Sequence, residues 1–205
     1  MFIQRGSLVP RDASPWQRFS GKGMAFRLQS YDWNGCACVS HLTMKAFGGI
    51  MKMESLICTP YSKDLPLYSY DRISAFGRQS LLLELYNTML CPVSLPALDA
   101  VKESYRDLKD KKTKPNWYDT LRLSPSTFKA GSKARLGQLS QEMTAAYLDC
   151  FDSASDVERQ LKTRLNSAYV EGLIGSGGPA IDTISGILGE EETGRLFRRF
   201  IFGTE

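Results

Sequence analysis

The sequence has 205 residues, of which 42% are hydrophobic, 11% aromatic and 23% charged, as is typical of one globular domain with one core. The formal net charge of +4 is too small to indicate a nucleic-acid-binding protein, but it favours encounter with an acidic protein partner. No apolar stretch approaches the roughly 20 residues that a membrane-spanning helix requires.

The first 23 residues differ in character from the rest of the chain. They contain no apolar segment of the kind found in secretory signals, and Asp12 is their one acidic residue, which fits a transit peptide. Residues 7–11 also resemble a protease cleavage site from an expression vector. We therefore expect residues 1–23 to be a tag or a flexible terminus, and residues 24–205 to form a single domain.

Cysteine and histidine usage argues against a metal centre. The five cysteines are odd in number and irregularly spaced, and His41 is the single histidine. A structural zinc site needs four such ligands in a recognisable spacing. We therefore expect no metal site and reduced thiols, which are typical of a reducing compartment such as the cytoplasm or the plastid stroma.

The front half of the chain is predicted to form strands joined by short turns. Polarity alternates along four segments, as it does in strands with one buried face. Gly48–Gly49 has the composition of a two-residue hairpin turn, and residues 77–79 turn the chain again. Short turns between successive strands predict an antiparallel meander. The four segments are 37–47, 50–59, 67–76 and 80–89.

The back half is predicted to be helical, because apolar residues recur there every three or four positions. The capping-box sequence of residues 155–158 predicts the start of a helix. Glycine-rich residues 175–178 are interpreted as a helix–helix turn, since phosphate-binding loops normally follow a strand. Strands followed by helices predict an α+β fold, in which helices cover a sheet. The helical segments are 95–108, 136–150, 155–173, 179–188 and one carrying 196–201.

One acidic residue, Asp71, stands in the middle of the third strand segment, where aspartate is disfavoured. Strand alternation places it on the side of Leu67 and Ile73, with Tyr70 and Arg72 facing the other way. Burial on an apolar face would raise its pKa, and a carboxylic acid poised near neutral pH can protonate a substrate. The same pattern also fits a solvated face or an ion pair with a Lys or Arg.

Residues 41–60 and 64–77 and the strand that follows resemble the central sheet of the ferredoxin-dependent bilin reductases. A histidine at His41, the glycine turn, a Leu-Pro-Leu ending at Leu67 and the mid-strand Asp71 keep the family's order and spacing. Residues 169–203 resemble the family's C-terminal segment. The similarity therefore extends from residue 35 to residue 203.

This resemblance implies an α/β/α sandwich with a central antiparallel sheet, and a bilin bound between that sheet and the C-terminal helices. It implies a monomer that acts on biliverdin or dihydrobiliverdin with no bound cofactor, taking electrons from reduced ferredoxin and protons from side chains and water. Asp71 matches the family's proton-donating aspartate. His41 matches a histidine near the pocket, although an ordinary strand residue fits the pattern equally well.

The sequence departs from the family at three positions. Thr43 stands where the branch that makes phycocyanobilin has a glutamate, Ser55 where that branch has a second histidine, and Gly178 where several members carry Asp or Asn. We therefore expect one two-electron step, with Ser55 or Asp182 as a candidate substitute donor. A non-catalytic bilin carrier or lyase-like protein remains an alternative, as does a small α/β binding protein unrelated to tetrapyrroles.

Cations are expected at the rim of a bilin pocket, because the propionate groups of a bilin are anionic. The candidates are Lys45, Lys52, Arg72 and Arg78, each of which also fits a solvated surface charge. Three C-terminal arginines are the candidate docking patch for ferredoxin, or else favourable charges at the end of a helix: Arg195, Arg198 and Arg199.

Overall fold

A sheet of nine antiparallel strands is the main feature of the protein, seen in a computed structural model that describes residues 2–91 and 93–205. The strands lie in the order β1, β3, β4, β5, β6, β7, β9, β8, and β2 pairs with β3 as a separate branch. They are β1 (Leu8–Pro10), β2 (Arg18–Gly21), β3 (Met24–Trp33), β4 (Ala37–Ala46), β5 (Met51–Pro60), β6 (Leu67–Ala75), β7 (Arg78–Tyr86), β8 (Lys109–Asp110) and β9 (Thr127–Ala130).

Strands β3 to β7 form the predicted antiparallel meander. The turn between β4 and β5 is longer than predicted, because Ala46 pairs with Met51 and the connection is the four residues 47–50. Gly48 takes a left-handed conformation there, with φ of 63°. The turn between β6 and β7 is the two residues Phe76 and Gly77.

Helices cover both faces of this sheet. The first two pack on one face, called here the α2 face, and the other three pack on the opposite face, called here the α3 face. The predicted fold class, an α/β/α sandwich with a central antiparallel sheet, is confirmed. The helices are α1 (Pro96–Ser104), α2 (Lys133–Ser153), α3 (Arg159–Ser176), α4 (Pro179–Leu188) and α5 (Glu190–Leu196).

Side chains of the central strands alternate between the two faces, as the pleat requires. The cross-strand row Leu42, Ser55 and Asp71 lies on the α3 face, and Leu42 is part of the apolar core beneath the C-terminal helices. The adjacent row Glu54 and Arg72 lies on the α2 face, where the Arg72 guanidinium approaches α2. One step along a strand therefore moves a side chain from one helical layer to the other.

Residues 2–23, which we expected to be part of a tag or a flexible terminus, pair with the sheet and pack against the rest of the chain. Phe2 is buried with its ring 5.4 Å from that of Trp33, and Trp16 lies 5.4 Å from the ring of Phe200. β1 and β2 both pair with β3, so this segment contributes two strands to the sheet. The apolar residues of this segment are too widely spaced to predict strands from the sequence alone.

Two other elements differ from the sequence prediction. The segment after α1, which lies outside all the predicted strands and helices, contributes β8, and β8 pairs with the unpredicted strand β9. α3 begins at Arg159 rather than at Ser155, because the backbone of residues 155–157 forms an antiparallel bridge with residues 62–64. The glycine-rich residues 175–178 do connect two helices, as predicted.

None of the helices in the described part of the chain is long and apolar enough to cross a membrane.

Candidate functional site

Asp71 lies at the centre of the sheet, on β6, with β5 and β7 on either side. Ser55 is directly opposite on β5 and Leu82 directly opposite on β7, so all three side chains share the α3 face. The hydroxyl of Ser55 donates a hydrogen bond to Oδ1 of Asp71. The site therefore presents a carboxyl group with one defined partner to the layer of C-terminal helices.

The pKa of Asp71 is raised to about 6, chiefly by burial; the hydrogen bond from Ser55 lowers it, and the negative charge of Glu84 makes a smaller contribution that raises it. This direction agrees with the expectation from the sequence. A carboxyl group with such a pKa is protonated in about one molecule in ten at pH 7, against about one in a thousand for an ordinary aspartate. Asp71 can therefore act as an acid near neutral pH.

The surroundings of Asp71 are apolar and incompletely covered. Met53 and Ile57 flank Ser55 on β5 along the same face, and Ile73 follows Asp71 on β6. Apolar residues of the C-terminal layer pack against the core on this same face and are also only partly buried. These helical-layer residues are Tyr118, Leu121, Leu173, Ile174, Ile187 and Leu188.

A second carboxylate on this face, Glu84, is held in a fully partnered position. Its oxygens accept hydrogen bonds from Tyr86 at 2.6 Å and Ser126 at 2.7 Å, and it pairs with Arg122 at 2.6 Å. Glu84 and Arg122 are both nearly inaccessible to solvent, with exposed side-chain fractions of 7% and 9%. Glu84 is thus a fixed charge that acts on Asp71, rather than a free acid.

A cluster of aromatic rings closes one end of the interlayer space. The ring of Tyr86 lies 4.5 Å from that of Tyr169 and 5.9 Å from that of Tyr118. Trp117 donates from Nε1 to the carbonyl of Gly177 at 3.2 Å, and a Cβ at Gly172 would lie 2.7 Å from its ring. The turn carrying Trp117 and Tyr118 is therefore packed closely against α3.

Sequence reasoning missed Glu84 and the tyrosines around it. The signal was present, because Glu84 interrupts an apolar strand in the same way as Asp71 interrupts the preceding one. The partners Arg122 and Ser126 lie in a connecting segment with no periodic pattern. Their convergence on Glu84 comes from the tertiary fold alone.

The candidate ligands His41, Thr43, Lys45 and Arg72 do not lie beside Asp71. Strand register places all four on the α2 face, because each is offset by an odd number of positions from the row that contains Asp71. The expectation that His41 lies near a pocket shared with Asp71 is therefore wrong. The sequence signature has the correct order of residues, but the pleat separates them.

His41 instead belongs to a charged cluster beneath α2. Its Nε2 is 3.1 Å from Glu54 Oε1, and Arg72 lies 3.6 Å from the other oxygen of Glu54. The hydrogen bond with His41 lowers the pKa of Glu54, with burial opposing and Arg72 assisting. Arg72 lies on the α2 face and its guanidinium is directed at Glu54. It therefore does not reach the propionate groups of a molecule bound on the α3 face.

The remaining candidates occupy different places. Arg78 is exposed at the β6–β7 turn, and Asp182 accepts a hydrogen bond from the backbone N–H of Gly178 at 3.3 Å in the first turn of α4. Arg195 pairs with Glu191 at 2.6 Å, and Arg198 pairs with Glu171 at 2.6 Å. Arg199 lies 5.5 Å from the ring centre of Phe200. Two of the three C-terminal arginines thus pair with glutamates of this chain.

Within residues 2–91 and 93–205, no three His, Cys, Asp or Glu side chains come together as a metal site would require. The cysteines of this part are free thiols.

The fold and site together define an antiparallel sheet sandwiched between helices, with a half-buried carboxyl group on the apolar face that packs against the C-terminal helices. No protein-family model matches the sequence, and no curated protein sequence matches it. Solved structures do share the fold. One is phytochromobilin synthase from tomato in complex with biliverdin, which is 14% identical, superposes with a TM-score of 0.72, and is aligned over 98% of this chain and 78% of its own length.

Proposed function

We propose that this protein reduces an open-chain tetrapyrrole, biliverdin or dihydrobiliverdin, with Asp71 as the proton donor and ferredoxin as the source of electrons. The observation that carries the proposal is the position of Asp71, whose carboxyl group has a pKa of about 6 and faces apolar surface at the centre of the sheet. The fold shared with a protein solved with biliverdin supports it.

The proposed reaction consumes two electrons and two protons for each double bond reduced. Two reduced ferredoxin molecules each give one electron and become oxidised. Asp71 transfers one proton to the bilin and is reprotonated from solvent, while water supplies the second proton. Since the first electron makes the bilin more basic, an acid with a pKa near neutrality is suited to protonate it at that moment.

The geometry around Asp71 fits a flat, mostly apolar substrate. The sheet side offers the half-buried Met53, Ile57 and Ile73, and the helical side offers aliphatic residues of α3 and α4. A planar pigment between these layers would displace water from the carboxyl group, which favours its protonated form. Binding of substrate would therefore increase the fraction of Asp71 able to donate.

A non-catalytic bilin carrier on the same fold is the second candidate. The observation that favours it is the separation of other candidate site residues from Asp71, because His41 and Thr43 lie on the opposite face, while Ser55 is engaged with Asp71 itself. If Asp71 did not transfer its proton to the bilin, a protein with this one acid on the α3 face would bind the bilin without reducing it.

Anaerobic spectroscopy with biliverdin and reduced ferredoxin tests the proposal. A reductase gives a bilin radical followed by a blue-shifted product, whereas a carrier gives a shifted pigment spectrum without turnover. Asp71→Asn should stop turnover after the radical while biliverdin still binds. The control is Asp152→Asn, which changes an exposed carboxyl in α2, on the opposite side of the sheet, and should turn over as the wild type does. Wild-type turnover in Asp71→Asn would remove Asp71 from the mechanism.

A further inference from the structure

Three hairpin turns meet at one end of the sheet, called here the hairpin end. They are the β2–β3 turn at Lys22–Gly23, the β4–β5 turn at Phe47–Ile50 and the β6–β7 turn at Phe76–Gly77. Met24 pairs with Ala46, which brings the first two turns side by side, and the pairing of Ala46 with Met51 and of Met51 with Ala75 adds the third.

The hairpin end exposes three large apolar side chains. Phe47, Ile50 and Phe76 are 66%, 56% and 73% exposed, and they account for three of the seven large apolar residues that are exposed in the described part of the chain. Phe47 and Phe76 each have φ of 51°, a left-handed conformation that favours Gly or Asn. Local structure therefore gives no reason for phenylalanine at either position, and contact with another molecule does.

Unpaired cations border these apolar residues on the α2 face. Lys45 is directly opposite Lys52 across β4 and β5, and Arg18 is directly opposite Arg27 across β2 and β3. Like charges in direct cross-strand positions destabilise a sheet. All four side chains are exposed, and none of them forms an ion pair within residues 2–91 and 93–205. Two such repulsive pairs on one face point to an acidic partner that neutralises them.

We infer that the hairpin end and the adjoining cations Arg18, Arg27, Lys45 and Lys52 form the docking surface for an acidic, electron-donating protein. This inference rests on the proposed function for the role of the partner as an electron donor. The exposed phenylalanines supply an apolar centre and the cations a charged border, which is the usual arrangement of a protein–protein interface. The charges would also steer an acidic partner to this face.

The layout of the cations favours a protein over a lipid surface. The four cations are spread across β2 to β5, a width of about 14 Å at ~4.8 Å per strand, on the flat side of the sheet rather than around the tips. A membrane that received the tips would leave this flat side in solvent. A folded acidic protein can contact both the tips and the flat side.

The β6–β7 turn of this surface lies near the candidate site, although the four cations lie on the opposite face of the sheet. Ala75, at the base of the β6–β7 turn, is four residues from Asp71 on the same strand, a distance of about 13 Å at ~3.3 Å per residue. An electron donor at the hairpin end would therefore stand close to a pigment bound on Asp71.

The test measures binding of an oxidised plant-type [2Fe–2S] ferredoxin to the full chain by calorimetry, at low and high ionic strength. The double variant Lys45→Glu, Lys52→Glu should weaken binding at least tenfold at low ionic strength. Phe76→Asn, which suits the left-handed turn, should weaken it at least threefold at both. Lys112→Glu is the matched control at the far edge of the sheet beside β8, and it should stay within twofold of the wild type.

The outcomes separate this inference from the proposed reaction. If the wild type binds ferredoxin in this way but never reduces biliverdin, the docking surface stands and the proposed reaction fails. If the double variant and Phe76→Asn bind ferredoxin as the wild type does, the docking surface is wrong even where biliverdin is reduced. Binding to phosphatidylglycerol vesicles without binding to ferredoxin would also overturn the inference, because the occupant would then be a lipid surface.

Discussion

The hydroxyl of Ser55 donates to Oδ1 of Asp71 across the β5–β6 pair, and this single contact opposes the burial that raises the pKa of the carboxyl group. A hydrogen bond to the ionised form stabilises the charge. Ser55 therefore lowers the pKa that burial would otherwise give Asp71. This relationship makes the acidity of Asp71 open to test by mutation.

Ser55→Ala should raise the pKa of Asp71 further, because the ionised carboxylate loses its hydrogen-bond donor. If turnover needs the protonated acid, the fall in rate at alkaline pH should move up by about one pH unit, since a hydrogen bond to a charged group contributes ~1.5–3 kcal/mol. The measurement is the pH profile of anaerobic biliverdin reduction. Ser69→Ala, on the same face of β6, is the control and should leave the profile unchanged; a profile moved equally by both variants would contradict the account.

Glu84→Gln should move the same profile in the opposite direction. Removing a nearby negative charge makes ionisation of Asp71 easier, so the pKa of Asp71 falls and the alkaline decline begins at lower pH. The variant also leaves the buried Arg122 without its closest partner, which should lower the free energy of unfolding by about 2–4 kcal/mol. Urea denaturation measures that loss, and an unchanged pH profile in a folded variant would show that Glu84 does not act on Asp71.

Asp71→Asn should stabilise the protein at neutral pH even though it stops turnover. The folded-state pKa of about 6 is above the unfolded value of about 3.9, so the carboxyl contributes favourably only below pH 4 and its contribution is lost as the pH rises through 6. The amide carries no charge, so the gain in unfolding free energy should be about 2–3 kcal/mol at pH 8 and should nearly vanish at pH 4. Urea denaturation at both pH values checks this; a variant less stable than the wild type at pH 8 would contradict it.

Lys162 gives an independent test of the structure, far from the proposed chemistry. Its ammonium group is buried and donates to the carbonyls of Leu65 at 2.7 Å and Thr88 at 2.5 Å, with Asp64 at 3.6 Å. Burial lowers its pKa to about 8, with Asp64 opposing. Lys162→Met leaves two buried carbonyls without donors, so the free energy of unfolding should fall by about 2–5 kcal/mol.

The pH dependence of that loss has a defined sign. Between pH 8 and about pH 10.4 the unfolded chain binds more protons at this lysine than the folded protein does, so wild-type stability gains with rising pH. Lys162→Met lacks this gain. The difference in unfolding free energy between the two proteins should therefore increase from pH 8 to pH 10, and a constant difference would mean that Lys162 is not buried as described.

The features of the fold and the site that follow from local sequence patterns could be predicted, whereas those that depend on strand register could not. Strand alternation in β4 to β7 and helical periodicity in the second half are local patterns, and they predicted the sheet, the helices and the elevated pKa of Asp71. The position of His41 relative to Asp71 depends on register, where a shift of one residue moves a side chain to the other face. The sequence resemblance supplied the order of residues but not this register.

The missed parts of the structure depend on contacts between distant segments. β1 and β2 pair with β3, and Trp16 packs against the C-terminal Phe200. The sequence around β1, β2 and Trp16 has no strong polarity pattern that would predict these contacts. Arg122 and Ser126 both contact Glu84, so their connecting segment packs against a strand that lies about 40 positions earlier in the chain. The neutralisation of Arg198 by Glu171 likewise joins the last turn to α3.

The most direct test of the central claim is a titration of Asp71 itself. Carbon-13 NMR of the carboxyl groups of labelled aspartate, with the Asp71 signal identified by its loss in Asp71→Asn, reports its protonation in the free protein and with biliverdin bound. The account predicts a midpoint near pH 6 that rises when biliverdin binds. A midpoint near pH 4, as in an ordinary exposed aspartate, with no response to biliverdin would contradict it.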